Sequence, residues 1–179
     1  IQNIFEKIES LYIADGHHRT EATKLLSEEN ASSQFSEKDF LLSYLISEIN
    51  VKIFEFNRLV KDLNGLSKVE FLHKLSEIFI LENKDQQPYT PTEKHHFGMY
   101  LDNQFYSLIL KTENCSFKNT LDALDTQILY KKVLLPILGI EDLRNDERIE
   151  YLTGKQPIIE IKQQIDSGEF EVAFMMFPS

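Results

Sequence analysis

A short apolar run, Leu11-Tyr12-Ile13-Ala14, stops abruptly at Asp15-Gly16, and His17-His18-Arg19 then leads into a helix-forming segment, Thr20 to Glu29. The rest of the chain is organised around this stretch, because an Asp-Gly pair permits a tight reversal. The order predicts a strand at Leu11–Ala14, a turn and a helix N-terminus. The start of a helix offers unpaired backbone N–H groups and a partial positive charge, so it suits an anion. Asp15 can orient a metal or a proton, and Arg19 can grip a phosphate through two parallel hydrogen bonds. A blander reading stands beside this one: Asp15 caps the helix and Gly16 permits the turn, with no ligand involved.

Composition limits the partners. The 179 residues are 42% hydrophobic, enough to bury a real core. Acidic side chains number 29 and basic ones 19, for a formal net charge of -10. A field of that sign repels nucleic acid backbones and anionic membranes, so binding to either is not expected. The single cysteine, Cys115, excludes a disulfide framework or a Cys-rich metal site within one chain and fits a reduced, cytoplasmic setting. No apolar run approaches the length of a transmembrane helix, and no signal peptide is visible.

Along the chain, residues 2 to 10 carry Ile4, Phe5 and Ile8 as apolar points of a short helix, and Asn30 to Ser36 reads as a loop. Phe40 to Ile46 and then Val51, Ile53, Phe54 and Phe56 read as a hairpin, with a helix across Asp39–Glu48 as the rival. Asn57 to Gly65 is taken as the exit from that strand. Ser67 and Glu70 form a capping box for a helix whose inner side carries Phe71, Leu72, Leu75, Ile78 and Phe79. Glu82 to Thr92, with Pro88 and Pro91, reads as a surface loop. His96–Leu101 and Gln104–Leu110 flank Asp102-Asn103, the clearest hairpin signal in the chain. Thr120 to Ile140 is the strongest helical pattern, bent at Pro136 and stopped by Gly139. Ile149–Leu152 reads as a short strand, Pro157 to about Asp166 as a helix ended by Gly168, and Phe170 to Phe177 as a final strand. The class is therefore α+β, with a mixed sheet, two β-hairpins and about four helices, in a single domain over residues 1–179.

Four segments carry a resemblance: Leu11 to Arg19, Phe56-Asn57-Arg58-Leu59-Val60-Lys61-Asp62-Leu63-Asn64-Gly65, Leu134 to Ile140, and Ala173-Phe174-Met175-Met176-Phe177-Pro178. In this order they resemble a widespread bacterial and archaeal family of unassigned biochemistry, domain of unknown function 1015. That family is similar to proteins with a ParB/sulfiredoxin-like fold, among them free serine kinases that carry an Asp-Gly-His-x-Arg run at the nucleotide site. The resemblance implies a strand–turn–helix phosphate motif over residues 1–30, with Asp15, His17 and Arg19 on phosphate or its magnesium. Members of the family extend upstream of this motif, so the chain reads as a fragment whose uncovered apolar surface favours self-association.

The resemblance gives the site chemistry a direction. Transfer of a phosphoryl group from ATP or ADP with magnesium needs positioning and charge neutralisation more than covalent chemistry. In that scheme Asp15 and His17 are the catalytic candidates, and Asp15 holds the metal or accepts a hydroxyl proton. Gly16, His18 and Arg19 line the phosphate, His18 being the weaker because it shares a face with Ala22 and Leu25. Arg58 and Lys61 extend the pocket toward an acidic ligand, or else sit on a solvated strand exit with Asp62 pairing locally. His95 and His96 point to opposite sides of a strand and make a poor metal pair. Asp122 and Asp125, one helical turn apart, read as surface charge in preference to a cation site. The functional expectation is a nucleotide-dependent phosphotransferase for a small hydroxylated substrate, with a non-catalytic nucleotide-binding or regulatory module as the alternative. DNA binding in the manner of ParB is disfavoured by the charge.

Overall fold

The computed structural model describes residues 5–29, 37–51 and 54–178. Ile4, the predicted loop at 30–36 and Ile53 lie outside them. The chain divides into two compact units, Ile1–Val51 and Lys52–Ser179.

Among its described residues the first unit holds the helix α1 (His17–Glu29) and two 3-10 turns at Glu37–Asp39 and Glu48–Asn50. None of its described residues is buried. The strand predicted at Leu11–Ala14 does not form: the segment joins no β-ladder. Phe40–Ile46 is likewise neither strand nor helix, so neither the first predicted hairpin nor its rival helix forms there. The polar gap that was to be a hairpin turn closes instead as a 3-10 turn, with Asn50 N–H donating to Ser47 O at 2.9 Å. An apolar run specifies a strand only where a second strand accepts its backbone hydrogen bonds.

The second unit is a six-stranded sheet in the order β2-β4-β3-β6-β1-β5. Its strands are β1 (Phe56–Val60), β2 (Phe79–Asp85), β3 (His96–Leu101), β4 (Gln104–Leu110), β5 (Ile149–Thr153) and β6 (Val172–Met175). Every pairing is antiparallel, which corrects the mixed sheet expected from sequence. The α+β class stands, with four helices among the described residues.

Helix α2 (Lys68–Ile78) opens on the predicted capping box: Glu70 Oε2 accepts from Ser67 N–H at 2.8 Å, and Ser67 Oγ accepts from Glu70 N–H at 3.3 Å. Phe79 then starts β2, so part of the expected Glu82–Thr92 loop is strand. The β3–β4 hairpin turns on Asp102 and Asn103 at φ of 48° and 60°, the doubly left-handed geometry that suits the right-handed strand twist.

The helix predicted over Thr120–Ile140 is shorter. Helix α3 (Asp125–Leu129) continues as a π-helical turn, Tyr130–Leu134, in which Leu135 N–H donates to Tyr130 O at 2.9 Å. Pro136 explains the register change, because it has no N–H and its ring crowds the carbonyl four residues back. Helix α4 (Ile158–Asp166) follows Pro157 at its N-cap, and Gly168 lies just beyond its end at φ of 81°.

Strand alternation splits the core between two faces. Val172, Phe174 and Met176 point toward Phe71 and Leu75 of α2 and Ile128 and Val133 of the α3 segment. Ala173 and Met175 point the other way, with Leu59 and Tyr100, toward Ile161 and Ile165 of α4. The central strands are thus covered on both sides, each large side chain adding roughly 1.5–3 kcal/mol.

Candidate functional site

At the start of α1, Gly16 takes φ of 79°, a left-handed conformation that disfavours any residue with a Cβ. Its carbonyl accepts from Thr20 N–H at 3.0 Å and from Thr20 Oγ1 at 3.2 Å, which fixes the first helical turn. Gly16 N–H donates to Asp15 Oδ1 at 2.7 Å, so the aspartate braces the turn and leaves the later helix donors open. The N–H groups of His17, His18 and Arg19 precede the first intrahelical bond and make none among the described residues. Arg19 folds back over the turn: a Cβ added at Gly16 would lie 3.0 Å from Nη2 and 3.3 Å from Nε. His17, His18 and Arg19 are exposed, so the packing role considered for His18 is not observed. The result is an open helix terminus with a guanidinium beside it and a carboxylate at its edge, a set of groups suited to a phosphate.

The other predicted residues, Arg58 and Lys61, belong to the second unit, Arg58 within β1 and Lys61 just beyond its end. Arg58 is buried, with its guanidinium 5.1 Å from the Tyr151 ring centre and an N–H donated to Phe56 O. Burial pushes its pKa down. Lys61 is exposed, and its amine lies 5.9 Å from the Phe170 ring centre.

The segment that contains them has a structural purpose. Asn57 Oδ1 accepts from Met176 N–H at 3.1 Å, and Asn64 Nδ2 donates to Ile137 O at 3.2 Å. Asp62 Oδ1 accepts from Asn64 N–H at 2.8 Å and lies 3.7 Å from Arg148 Nη1. Arg148 donates to Leu138 O at 3.0 Å and Gly139 O at 2.9 Å, closing the chain that follows the π-helical turn. Asp146 holds that guanidinium at 2.8 Å; its hydrogen bond from Arg148 lowers the carboxyl pKa and raises that of Arg148. The Asn57–Gly65, Leu134–Ile140 and Ala173–Pro178 segments are therefore tied together by side-chain to backbone bonds.

Two polar clusters were not anticipated. Tyr100 OH donates to Asp166 Oδ1 at 2.7 Å and accepts from Lys162 Nζ at 2.5 Å, while Lys162 also reaches Asp166 Oδ2 at 2.6 Å. Burial raises the Tyr100 pKa. Burial also works to raise Asp166, but the bonds from Lys162 and Tyr100 outweigh it and hold the carboxyl below its usual range. The Lys162–Asp166 spacing of four residues on a helix was the available signal. The second cluster corrects the reading of Asp125 as surface charge. Asp125 is 1% exposed; its Oδ1 accepts from His95 N–H at 2.9 Å and its Oδ2 has no partner among the described residues. Burial raises its pKa.

No group of three or more His, Cys, Asp or Glu side chains suited to a metal occurs among the described residues. Nor is any described helix long and apolar enough to cross a membrane. Neither the curated proteins nor the solved structures contain a match to the chain. A family model does match, over residues 1–127, and by it the chain belongs to the family described as "Protein of unknown function (DUF1015)".

Proposed function

We propose that the chain carries the phosphate-binding part of a nucleotide-dependent phosphotransferase acting on a small hydroxylated substrate such as free serine. The observation that carries this reading is the Arg19 guanidinium laid against Gly16 at the open start of α1. Three unpaired N–H groups and one cation supply the charge neutralisation that phosphoryl transfer demands. His17 adds a donor on the same turn. Asp15 Oδ2 has no partner among the described residues and suits magnesium, which usually takes one or two carboxylates plus nucleotide phosphates. Bound magnesium would neutralise the phosphates of ATP or ADP. In the second unit Lys61 has its amine near the Phe170 ring and Arg58 is engaged with Tyr151, so the reading rests on the turn of the first unit.

The test is thermal melting of the chain with and without ATP or ADP plus magnesium, beside Arg19→Ala. A nucleotide at a hundred times its dissociation constant adds about 2.7 kcal/mol. A shift that Arg19→Ala abolishes supports the reading; no shift with either nucleotide overturns it. Phosphoserine formation, followed by phosphorus NMR, then decides between catalysis and binding alone. The second reading, a non-catalytic nucleotide-binding module, is favoured by the bond that ties Asp15 Oδ1 to Gly16 N–H. In that case Asp15→Asn keeps the nucleotide shift and no phosphoserine forms.

Self-association in the cytoplasm belongs to the same proposal. Phe40, Leu42 and Tyr44 are 70%, 100% and 88% exposed within an apolar run broken only by Ser43. Exposed apolar stretches of this kind mark contact surfaces.

A further inference from the structure

A cavity of about 160 Å³ opens beside the end of β1 and β5, within the second unit. Glu55, Asn57, Thr90, Gly154 and Gln156 supply its polar lining, and Met175 contributes to its apolar side. The backbone explains its position: Gly154 N–H donates to Glu55 O at 2.8 Å, extending the β1–β5 pairing by one step. The Glu55 side chain then folds over Gly154. A Cβ at Gly154 would fall 2.1 Å from the Glu55 carboxyl carbon, so only glycine leaves room for the carboxylate there.

Three polar groups in this lining lack partners among the described residues. Asn57 is 4% exposed; its Oδ1 is taken by Met176 N–H, and its Nδ2 has no acceptor. Gln156 Oε1 is buried without a donor. The Glu55 carboxylate makes no ion pair. Among the described residues no lysine, arginine or histidine lines the cavity, and the Lys155 amine lies 4.8 Å from the Phe54 ring centre instead. Buried polar groups are as a rule satisfied, so the buried Gln156 oxygen, with the half-buried Glu55 carboxylate and the unbonded Asn57 Nδ2 beside it in a roomy space, points to a missing ligand. The volume is close to that of a cavity that takes benzene (about 150 Å³), so it has room for a ligand part of roughly six non-hydrogen atoms.

The chemistry of the lining defines the class. A carboxylate and an unpaired amide oxygen call for a cation with several N–H donors, and the Asn57 amide calls for a neutral oxygen. We infer that this cavity binds a small primary ammonium compound carrying a neutral oxygen, an amino alcohol being the simplest case. The site is independent of the phosphate turn and does not rest on the kinase reading.

Ethanolamine is the probe, titrated into isotope-labelled chain at constant ionic strength and followed by amide-resolved NMR. Potassium chloride and uncharged ethylene glycol are the comparisons. The expected result is saturable shifts at the Gly154 and Gln156 amides and the Asn57 side-chain amide with ethanolamine alone. Glu55→Gln weakens that affinity at least about tenfold, the scale of a hydrogen bond to a charged group. Gly154→Ala, whose methyl displaces the Glu55 carboxylate, does the same, and unchanged α4 amides certify the fold of either variant. Arg19→Ala leaves ethanolamine binding intact. Absence of saturable shifts, an equal response to ethylene glycol or potassium chloride, or full affinity in Glu55→Gln overturns the assignment.

Discussion

Arg148→Met removes the guanidinium that joins the Leu138 and Gly139 carbonyls to Asp62 and Asp146, and its cost can be worked from the contacts. Two N–H groups donate to Leu138 O at 3.0 Å and Gly139 O at 2.9 Å, and two more reach Asp146. A charge-assisted bond contributes about 1.5 kcal/mol or more, so the two carbonyl bonds alone account for roughly 3 kcal/mol. The Arg148 side chain is 30% exposed, so water replaces part of what is lost. The Asp146 ion pair contributes no more than about 1 kcal/mol at such a surface. The expected loss is about 2–3 kcal/mol, or roughly 5–10 °C in Tm for a chain of this size. The chain has no tryptophan, so urea unfolding is followed by far-ultraviolet circular dichroism. Asp146 adds a pH signature. Its folded pKa is depressed, so its contribution is present above the unfolded carboxyl value and lost as pH falls through the folded value. The methionine variant lacks that acid-side decline. Arg148→Lys keeps the charge but not the fork, and it recovers under half of the loss. A lysine variant as stable as the parent, or a methionine variant within about 0.5 kcal/mol of it, would refute the bridging argument.

Three further outcomes are expected. Asp125→Asn stabilises the chain at neutral pH by about 1–3 kcal/mol, because burial raises the folded pKa and the ionised form is the costly one. The gain shrinks as pH falls through that folded value and vanishes below the unfolded one; pH-dependent urea midpoints for both proteins measure it. Tyr100→Phe costs about 1.5–3 kcal/mol, because it deletes a hydroxyl bonded to both Lys162 and Asp166 while the ring still packs. A double-mutant cycle with Lys162→Met yields a coupling of at least about 0.5 kcal/mol. Leu42→Ser with Tyr44→Ser lowers the apparent mass in light scattering if the exposed run holds copies together, and an unchanged mass assigns that surface no part in assembly.

Local chemistry made much of the second unit readable. Ser67 and Glu70 announce α2 because a capping box satisfies backbone donors without help from the rest of the chain. Asp102-Asn103 announces its hairpin because few residue pairs accept two left-handed conformations in a row. Pro136 announces a disturbance for the same kind of reason, and the disturbance is a π-helical turn ahead of it. Elements that depend on distant partners were not readable. Leu11–Ala14 and Phe40–Ile46 have strand composition, but a strand is defined by its neighbour, and no ladder reaches either. Strand β6 settles between β3 and β1 although the chain reaches it last, an order that no local pattern encodes.

The candidate site divides along the same line. Asp15, Gly16 and Arg19 are legible because one turn and one helix start suffice to place them together. The Asn57–Gly65 run is equally distinctive as sequence, yet its asparagines and Asp62 are occupied with Met176, Ile137 and Arg148. Distinctive polar residues arise for two physical reasons: a ligand must be met, or a buried backbone group far along the chain must be satisfied. Exposure separates the two. Asn57 and Arg58 are buried, and the residues of the Asp15–Arg19 turn are not, which is why a search for a nucleotide belongs at the turn. Asn57 is the instructive exception. Half of its amide satisfies the backbone and the other half has no acceptor, so a residue that anchors the fold also marks a space for something else.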